Sequence, residues 1–375
     1  MWSILNRWAD QGRIPDPLIR LGIRRLLGAR ERSMPVDAGD AAFLASLYDG
    51  PIAVAVDRAN EQHYEVPAAY FEAVLGPRLK YSCCLFPTGA EPLAEAEEDM
   101  LALTADRAGL MDGQRILELG CGWGSLSLWM ADRYPGARIL AVSNSASQRE
   151  FILDRARQRG YDNLEVQTCD MNVFDPGGAQ FDRVVSVEMF EHMRCWRRLL
   201  ERIRGWLKPD GRLFLHVFCL RDYAYPYEIR NASDWMARYF FTGGLMPSWD
   251  LAFRMGRLAG LEPEERWMVN GRHYALTCRQ WLERMDAARP ALDPVFESVY
   301  GADAPVWWQR WRIFYMACEE LFRWRGGNAW FVGHYCMRPA QGSGSRWMDT
   351  SLSPARHDVG LSAAGVPSWA PQPEL

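Results

Sequence analysis

The sequence lacks several features that mark common classes of protein. Its nine cysteines include no Cys-x-x-Cys pair, which excludes the usual zinc-binding spacing and leaves no disulfide framework. No apolar run approaches the roughly 20 residues of a transmembrane helix, and the first residues lack the apolar core of a signal peptide. The formal net charge of −4 offers no basic excess for nucleic acid. These absences predict a cytoplasmic protein with no bound metal and no nucleic-acid partner.

Tryptophan, by contrast, is abundant, with 17 residues in a chain of 375. Such aromatic surface fills cores, lines ligand pockets or contacts membrane interfaces. The chain is long enough for one large or two modest domains. We expect an N-terminal helical segment at 1–75 and one main domain at 76–338. A disordered tail is expected at 339–375, where Gly, Ser and Pro dominate.

The most informative stretch is RILELGCGWGSLSL at 115–128. Residues typical of a buried β-strand run into Gly120, Gly122 and Gly124, and an apolar helical segment follows. Glycines this close together let the backbone turn sharply and approach a ligand, because no Cβ stands in the way. The third glycine comes one residue earlier than in the dinucleotide fingerprint GxGxxG. A dinucleotide is therefore not the best match.

An acidic residue, Glu118, lies just ahead of this loop. A carboxylate there repels a pyrophosphate and attracts a cation. S-adenosylmethionine, which carries an ammonium and a sulfonium, suits that field better than NAD. The alternative is a glycine-rich strand–helix loop that binds no ligand.

Downstream of the glycines, strand-like and helix-like segments alternate, as is typical of a parallel sheet with helical crossovers. The patterns predict strands at 115–119, 138–143, 164–168, 182–187 and 212–218, helices at 125–134, 146–159 and 196–207, and a turn at 208–211. An aromatic-rich segment at about 221–310 interrupts the alternation and predicts a helical lid over the carboxyl ends of the strands. A last helix is expected at 307–324 and a last strand at 329–336.

Ligands of such sheets bind beyond the carboxyl ends of the strands, so the residues after each strand are candidates for the site. Ser143, Asn144 and Gln148 follow the second strand, and their neutral groups bind a ribose diol more weakly than an acid does. After the third strand, Asp170 can accept hydrogen bonds from an adenine amine while Met171 packs on the base. With the glycine loop, these residues predict a nucleoside pocket.

Acid–base candidates follow the fourth and fifth strands. Glu188, Glu191 and His192 lie within SVEMFEHM and can deprotonate an amine or hold a cationic intermediate. The alternative is helix capping and a surface histidine. His216 ends the fifth strand, where it either projects into the crevice or has a structural role. Cys318 lies on an apolar helical stripe, where a thiol is usually inert.

The first 33 residues carry apolar positions at helical spacing with arginines on the other face. A basic amphipathic helix of this kind can lie on an anionic membrane surface. It can equally dock its apolar stripe on the rest of the protein, and both interpretations stay open at this point.

Long stretches of residues 57–338 resemble the cyclopropane-fatty-acyl-phospholipid synthase family of S-adenosylmethionine-dependent methyltransferases. Within that family the chain is most similar to the coclaurine N-methyltransferase branch. The matching segments are ANEQHYEVP, KYSCCLF, LELGCGWGSL, SNSASQREF, VEMFEHM, the pair Asp234-Trp235, GRHYALTCRQWLERMD and AWFVGHY. The resemblance implies a Rossmann-like class I methyltransferase fold, a doubly wound and mostly parallel seven-stranded sheet with N-terminal helices and a helical lid insertion.

The resemblance also implies the residues of the cofactor site. This family uses a hydroxyl and a glutamine in place of the ribose-binding acid, which matches Ser143 and Gln148. The expected S-adenosylmethionine site comprises Tyr81, Ser82, Glu118, Gly120, Gly122, Gly124, Ser143, Asn144, Gln148, Asp170 and Met171.

Two sets of catalytic groups follow from the two branches of the family. The amine-methylating branch implies substrate-side acid and base groups at Glu188, Glu191 and His192. The lipid branch uses a bicarbonate ion as base, held by residues that match Cys83, Glu191, His216 and Tyr274. Plant amine enzymes have phenylalanine at the position of Tyr274. Cys318 matches a family cysteine that has been proposed as catalytic.

Three functional hypotheses result. The leading one is N-methylation of a small amine by an enzyme that uses S-adenosylmethionine. The alternative is transfer of a methylene or methyl group to an unsaturated acyl chain of a phospholipid, with bicarbonate as a second cofactor. The third is a non-catalytic nucleoside-binding protein. Peripheral membrane contact through the N-terminal helix and a homodimer are compatible with any of these.

Overall fold

The computed structural model describes residues 2–33, 41–54, 66–230 and 234–341. Most of the ANEQHYEVP stretch and nearly all of the predicted disordered tail lie outside these ranges. Within the described ranges, no helix combines the length and apolar character needed to cross a membrane.

A seven-stranded sheet forms the centre of the described part of the chain. The described residues form nine strands, seven of which belong to this sheet. They are β1 (Arg115–Leu119), β2 (Arg138–Ser143), β3 (Leu164–Thr168), β4 (Phe181–Val187), β5 (Leu207–Leu220), β6 (Tyr225–Pro226), β7 (Leu245–Met246), β8 (Leu261–Val269) and β9 (Trp330–Pro339). The sheet order is β3-β2-β1-β4-β5-β9-β8, and β6 and β7 form a separate small ribbon. The first five strands of the chain are parallel, whereas β9 runs antiparallel to β5 and β8 antiparallel to β9. The predicted α/β fold is confirmed.

Helices cover both faces of this sheet because alternate side chains of its strands point to opposite sides. The helices are α1 (Trp2–Asp10), α2 (Asp16–Ser33), α3 (Ala41–Ser46), α4 (Ala68–Val74), α5 (Leu93–Ala108), α6 (Ser125–Arg133), α7 (Ala146–Arg159), α8 (Trp196–Trp206), α9 (Trp235–Tyr239), α10 (Leu251–Leu258), α11 (Gly271–Ala287), α12 (Arg289–Tyr300) and α13 (Ala304–Arg323). In β1, Leu117 and Leu119 pack on one side with Trp196 of α8. Ile116 packs on the other side with Leu126 of α6 and Ile152 of α7. Both faces of the strand are therefore buried.

The strand order reverses at β1, which has β2 on one side and β4 on the other. The helices that follow β1 and β4 pack on opposite faces of the sheet, because Leu126 of α6 belongs to the core on one face and Trp196 of α8 to the core on the other. This divergence opens a crevice beyond the carboxyl ends of β1 and β4. The residues that follow these two strands lie at that crevice.

The second half of the chain differs from expectation in two places. β5 already begins at Leu207, and residues 208–211, predicted as the turn into the strand, lie at an irregularity of its pairing with β4, because Leu207 lies opposite Phe181 and Arg212 opposite Arg183. Residues 221–310 are not one insertion, since β8 lies within that range and pairs with β9. The alternating-strand pattern that would have revealed β8 is weak, because most of its residues are only half-buried.

The lid therefore comes from two segments. The first, between β5 and β8, contains β6, α9, β7 and α10. The second, between β8 and β9, contains α11, α12 and α13. The helix expected at 307–324 corresponds to α13, and the strand expected at 329–336 to β9.

The N-terminal helices dock on the second lid segment. Arg20 of α2 forms ion pairs with Glu319 (2.7 Å) and Glu320 (3.1 Å) of α13, and Arg24 pairs with Glu320 at 2.7 Å. Both carboxylates are buried, and Ile19 of α2 belongs to the same apolar core as α13. The docking interpretation of this segment accounts for these contacts.

Candidate active site

A cavity of about 1700 Å³, including its opening to solvent, lies at the carboxyl ends of β1–β4. Its walls contain residues from each predicted strand end and from both lid segments. The structure brings together ten of the eleven residues predicted to bind the cofactor: Tyr81, Ser82, Glu118, Gly120, Gly122, Ser143, Asn144, Gln148, Asp170 and Met171.

The three glycines after β1 have different roles. Gly120 and Gly122 line the cavity with positive φ angles of +82° and +50°. A Cβ on Gly120 would lie 2.6 Å from the Met189 side chain, whereas a Cβ on Gly122 would meet no atom within 4 Å. Gly124 is outside the lining, and a Cβ there would lie 2.7 Å from Ile152. Gly124 is thus required by helix packing and makes no part of the cavity wall.

Four buried polar atoms of residues at the cavity wall have no hydrogen-bond partner among the described residues: Thr104 Oγ1, Ser125 Oγ, Gln148 Nε2 and Trp281 Nε1. Gln148 is held in place because its Oε1 accepts a hydrogen bond from Ser143 Oγ at 2.7 Å. A buried polar atom without a partner costs free energy, which a polar ligand can recover. These atoms therefore suit a ligand with several hydroxyl or amine groups.

Asp170 follows β3 and lines the cavity with Met171. Its Oδ1 accepts hydrogen bonds from the backbone N–H of Asn172 (2.8 Å) and from Asn172 Nδ2 (3.1 Å). These bonds fix the carboxylate, and a carboxylate has lone pairs left for a ligand amine.

Glu118 is buried beside the glycine loop, where its carboxylate accepts a hydrogen bond from Ser127 Oγ. Burial raises the pKa of Glu118 to about 7, although Ser127 and the charge of Lys80 favour the ionised form. A cation bound in the cavity would restore its negative charge, because a nearby opposite charge stabilises the ionised carboxylate.

The loop that carries Lys80, Tyr81 and Ser82 is held by a buried carboxylate of α5. Glu97 accepts hydrogen bonds from the backbone N–H groups of Gly76 (2.9 Å), Arg78 (2.8 Å) and Lys80 (3.1 Å). The loop is turned so tightly that a Cβ on Gly76 would lie 2.5 Å from this carboxylate. Glu97 thereby positions one wall of the cavity.

Replacing Glu97 by alanine is expected to destabilise the protein by about 3 kcal/mol, because the buried Gly76 and Lys80 and the partly buried Arg78 each lose the acceptor of their N–H group, at about 1–3 kcal/mol for a buried group. Denaturant unfolding followed by circular dichroism measures this. Glu95→Ala on the exposed side of the same helix is the matched control and should change the free energy of unfolding by less than about 0.5 kcal/mol. Equal losses in the two variants would contradict the role of Glu97.

Glu188 lies at the cavity wall as the centre of a hydrogen-bond network. Its Oε1 accepts from the backbone N–H of Cys83 (2.9 Å) and lies 3.1 Å from His216 Nε2, and its Oε2 accepts from the Tyr274 hydroxyl at 2.5 Å. The backbone of Glu188 has a φ of +49°, in the left-handed region that disfavours a side chain. Such strain is typical of functional positions.

The direction of each bond in this network follows from its outer end. Arg107 Nη1 lies 2.9 Å from His334 Nδ1, and His334 Nε2 lies 2.9 Å from His216 Nδ1. Arginine can only donate, so His334 Nδ1 accepts and its Nε2–H donates to His216. His216 then carries its proton on Nε2 and donates it to Glu188. Burial lowers the pKa of both imidazoles, in agreement with these neutral tautomers.

Glu191 and His192, three and four residues further on, occupy different environments. Glu191 is fully buried outside the lining, and its Oε1 accepts from the backbone N–H of Phe218 at 2.7 Å. Burial, and then the charge of Glu188, raises the pKa of Glu191 well above its usual range. His192 lines the cavity and stacks on Phe241 with ring centroids 4.7 Å apart. Of these two residues, only His192 can therefore reach a bound molecule.

The two candidate cysteines, Cys83 and Cys318, also occupy different environments. Cys83 is fully buried, its thiol donates to the Cys84 carbonyl, and burial raises its pKa well above the usual range. Cys318 lines the cavity beside Cys278. Burial, and then a hydrogen bond with Cys318, raises the pKa of Cys278. His216 is also fully buried, so it acts on the cavity only through Glu188.

Sequence reasoning missed three polar residues of the site. Lys80 is buried at the cavity wall, and its Nζ donates to Ser82 Oγ at 2.5 Å. Arg107 and His334 form the outer end of the Glu188 network. His334 lies directly opposite His216 on the neighbouring strand, a relation that appears only once the pairing of β5 with β9 is known.

Comparisons with known proteins agree with this geometry. Residues 55–330 match the family model described as mycolic acid cyclopropane synthetase. The chain belongs to that family. It is 34% identical to (S)-coclaurine N-methyltransferase from Thalictrum flavum subsp. glaucum, over 87% of this chain and 92% of that protein. It is 29% identical to cyclopropane-fatty-acyl-phospholipid synthase from Escherichia coli strain K12, over 73% of this chain and 66% of that protein.

Among solved structures, one of coclaurine N-methyltransferase bound to N-methylheliamine and SAH is similar with a TM-score of 0.83. The two chains are 32% identical, and the match covers 89% of this chain and 98% of that one. This protein is thus an S-adenosylmethionine-dependent methyltransferase, as its sequence predicted.

The affinity for S-adenosylmethionine is expected to fall as the pH drops below about 7, because protonation removes the charge of Glu118. The fall should approach about tenfold per pH unit until the lower pKa of the complex is reached. Calorimetric titrations across this range measure it. Glu118→Gln is the control that corrects for titration of the ligand itself, and identical pH profiles of the two proteins would contradict the prediction.

Proposed function

We propose that this methyltransferase transfers a methyl group to the nitrogen of a small aromatic amine. The observation that carries the proposal is the position of the Glu188 carboxylate at the wall of the cavity that the glycine loop after β1 also lines. Protein groups donate hydrogen bonds to both of its oxygens and hold it there. An ionised carboxylate attracts an ammonium group, and it stabilises the positive charge that grows on an amine nitrogen during methylation.

Aromatic side chains surround the remaining space for the acceptor. The lining includes Phe218, Phe241, Tyr274, Trp281 and Phe314. Such a wall favours an aromatic acceptor by apolar burial and its cationic nitrogen by interaction with the ring faces. An acidic group within an aromatic wall is a combination that suits an aromatic amine.

The cofactor residues are those of the cavity wall near β1–β3. Gln148, Thr104 and Ser125 offer the unpartnered polar atoms, Asp170 offers a carboxylate to an amine, and Glu118 offers negative charge to a cation. When bound, S-adenosylmethionine supplies an electrophilic methyl group, whose bond to sulfur breaks as the amine lone pair forms the new N–C bond.

The chain itself must provide an unprotonated acceptor. Amines are mostly protonated near neutral pH, so the ammonium proton has to leave before the lone pair can react. His192 lines the cavity and is the imidazole that can take this proton. Glu188 then faces the new ammonium group as its counter-charge.

The test is a screen of aromatic secondary and tertiary amines with the purified protein, measuring release of S-adenosylhomocysteine and the mass of the product. We expect turnover with at least one amine and a mass gain of one methyl group. Vesicles of phospholipids with unsaturated acyl chains form the second arm. Turnover with these lipids and with no amine would overturn the proposal in favour of lipid modification.

A further inference from the structure

The lipid branch of the family implies a bicarbonate site at Cys83, Glu191, His216 and Tyr274, and the structure does not fit that ion. Three of these residues direct a hydrogen-bond donor at one point: the backbone N–H of Cys83, Nε2 of His216 and the hydroxyl of Tyr274. At that point lies the carboxylate of Glu188. The fourth, Glu191, points its Oε1 to the backbone N–H of Phe218.

A carboxylate and a bicarbonate ion offer the same planar O–C–O⁻ group to hydrogen-bond donors. All three donors are already used by the two oxygens of Glu188, so a separate anion would find none of them free. A second negative charge beside Glu188 would also be repelled in this buried setting.

The donors are fixed in their orientation by the network behind them. Arg107 can only donate, which sets the tautomer of His334 and through it that of His216. His216 must therefore present an N–H to the position of the Glu188 carboxylate. The position is built to receive an anion, whether or not that anion is attached to the chain.

We propose that the Glu188 side chain is a covalently attached replacement for bicarbonate, so that this enzyme needs no bicarbonate and removal of the side chain exposes a site for a small carboxylate-like anion. The role of that anion in turnover rests on the proposed amine methylation, whereas the existence of the site does not. Arg107, His334 and His216 are positioning residues of this site.

Glu188→Gly is the decisive variant, and its backbone should tolerate the change. Glu188 has a φ of +49°, which glycine adopts more readily than glutamate. The three donors would then surround a space of about one carboxylate. An unchanged circular dichroism spectrum and calorimetric binding of SAH would establish that the variant is folded.

Binding is measured first, by the broadening of the ¹³C NMR signal of labelled bicarbonate. We expect broadening with Glu188→Gly and none with the unaltered protein. Arg325→Gly is the matched control, since Arg325 also has a positive φ (+51°) but is exposed and is not one of the residues that line the cavity. Equal broadening with all three proteins, or none with Glu188→Gly, would overturn the proposal without any assay of turnover.

Turnover is measured next, in buffer freed of carbon dioxide. The unaltered enzyme should keep its rate within about twofold when bicarbonate is removed. Glu188→Gly should lose about a hundredfold and regain about tenfold with bicarbonate or formate, but not with chloride at equal ionic strength. Loss of the unaltered enzyme's activity without bicarbonate would contradict the replacement. If no amine is turned over by any variant, the proposed function fails while the NMR result still decides the anion site.

Discussion

Glu188→Gln is expected to lower kcat/KM for the amine by about a hundredfold, since a preorganised charge at a reacting centre is worth about that much. Glutamine has nearly the same shape as glutamate, and its Oε1 can still accept from the backbone N–H of Cys83 and from His216. The Tyr274 hydroxyl, which donates to Oε2, can turn to accept from the amide instead. The substitution therefore removes the charge and largely preserves the hydrogen bonds.

Steady-state kinetics with the amine identified by the screen would measure the loss of catalysis. Titration with SAH would show separately whether cofactor binding has changed. SAH binding should stay within about twofold, because Glu188 is proposed to face the acceptor and not the cofactor. Tyr274→Phe is a useful companion variant, since it removes one donor to the carboxylate but keeps the ring and the charge. Tyr274→Phe should lower kcat/KM less than Glu188→Gln does. An unchanged kcat/KM in Glu188→Gln would refute the role of its charge.

His192→Ala is expected to lower kcat by about a hundredfold at neutral pH, which is the second large effect that the structure predicts. The reason is that His192 is the imidazole at the cavity wall, whereas His216 is fully buried and donates its Nε2–H to Glu188. The loss should shrink as the pH rises, because a larger fraction of the amine is then unprotonated without help from the protein. The measurement is kcat as a function of pH for the variant and the unaltered enzyme.

Phe241→Leu is the control for the packing role of His192. It removes the ring that stacks on the imidazole at 4.7 Å but keeps the base itself. We expect a smaller loss that does not change with pH. A loss in His192→Ala that is the same at every pH would mean that the imidazole only packs against its neighbours.

Local sequence was sufficient to predict that most of the residues proposed to bind the cofactor meet at one cavity. Gly120 and Gly122, Ser143 and Gln148, and Asp170 and Met171 follow three consecutive strands that were predicted within a residue. Parallel strands end at one edge of the sheet, so residues at successive strand ends meet in space whatever the details of the packing. Gly124 differs because the same residue type also serves helix packing, which a sequence pattern does not distinguish.

The positions of the proposed acid–base residues depended on contacts between distant segments. Glu188, Glu191 and His192 are adjacent in sequence, yet one is the centre of a network, one is buried behind the wall and one faces the cavity. Their directions are set by the turn after β4 and by donors from the Cys83 loop, β5 and α11. No periodic pattern within SVEMFEHM carries that information.

The sequence by itself determined the α/β fold and the positions of the parallel strands along the chain, and its resemblance to a family determined the class of cofactor, because periodic burial, glycine spacing and motifs are local properties. Only the tertiary structure decided that three of the four residues matched to a bicarbonate site donate hydrogen bonds to Glu188, and that Arg107 and His334 direct the hydrogen bonds of that network. Hydrogen-bond partners far apart in the chain are chosen by three-dimensional proximity, and the pairing of β5 with β9 creates it here.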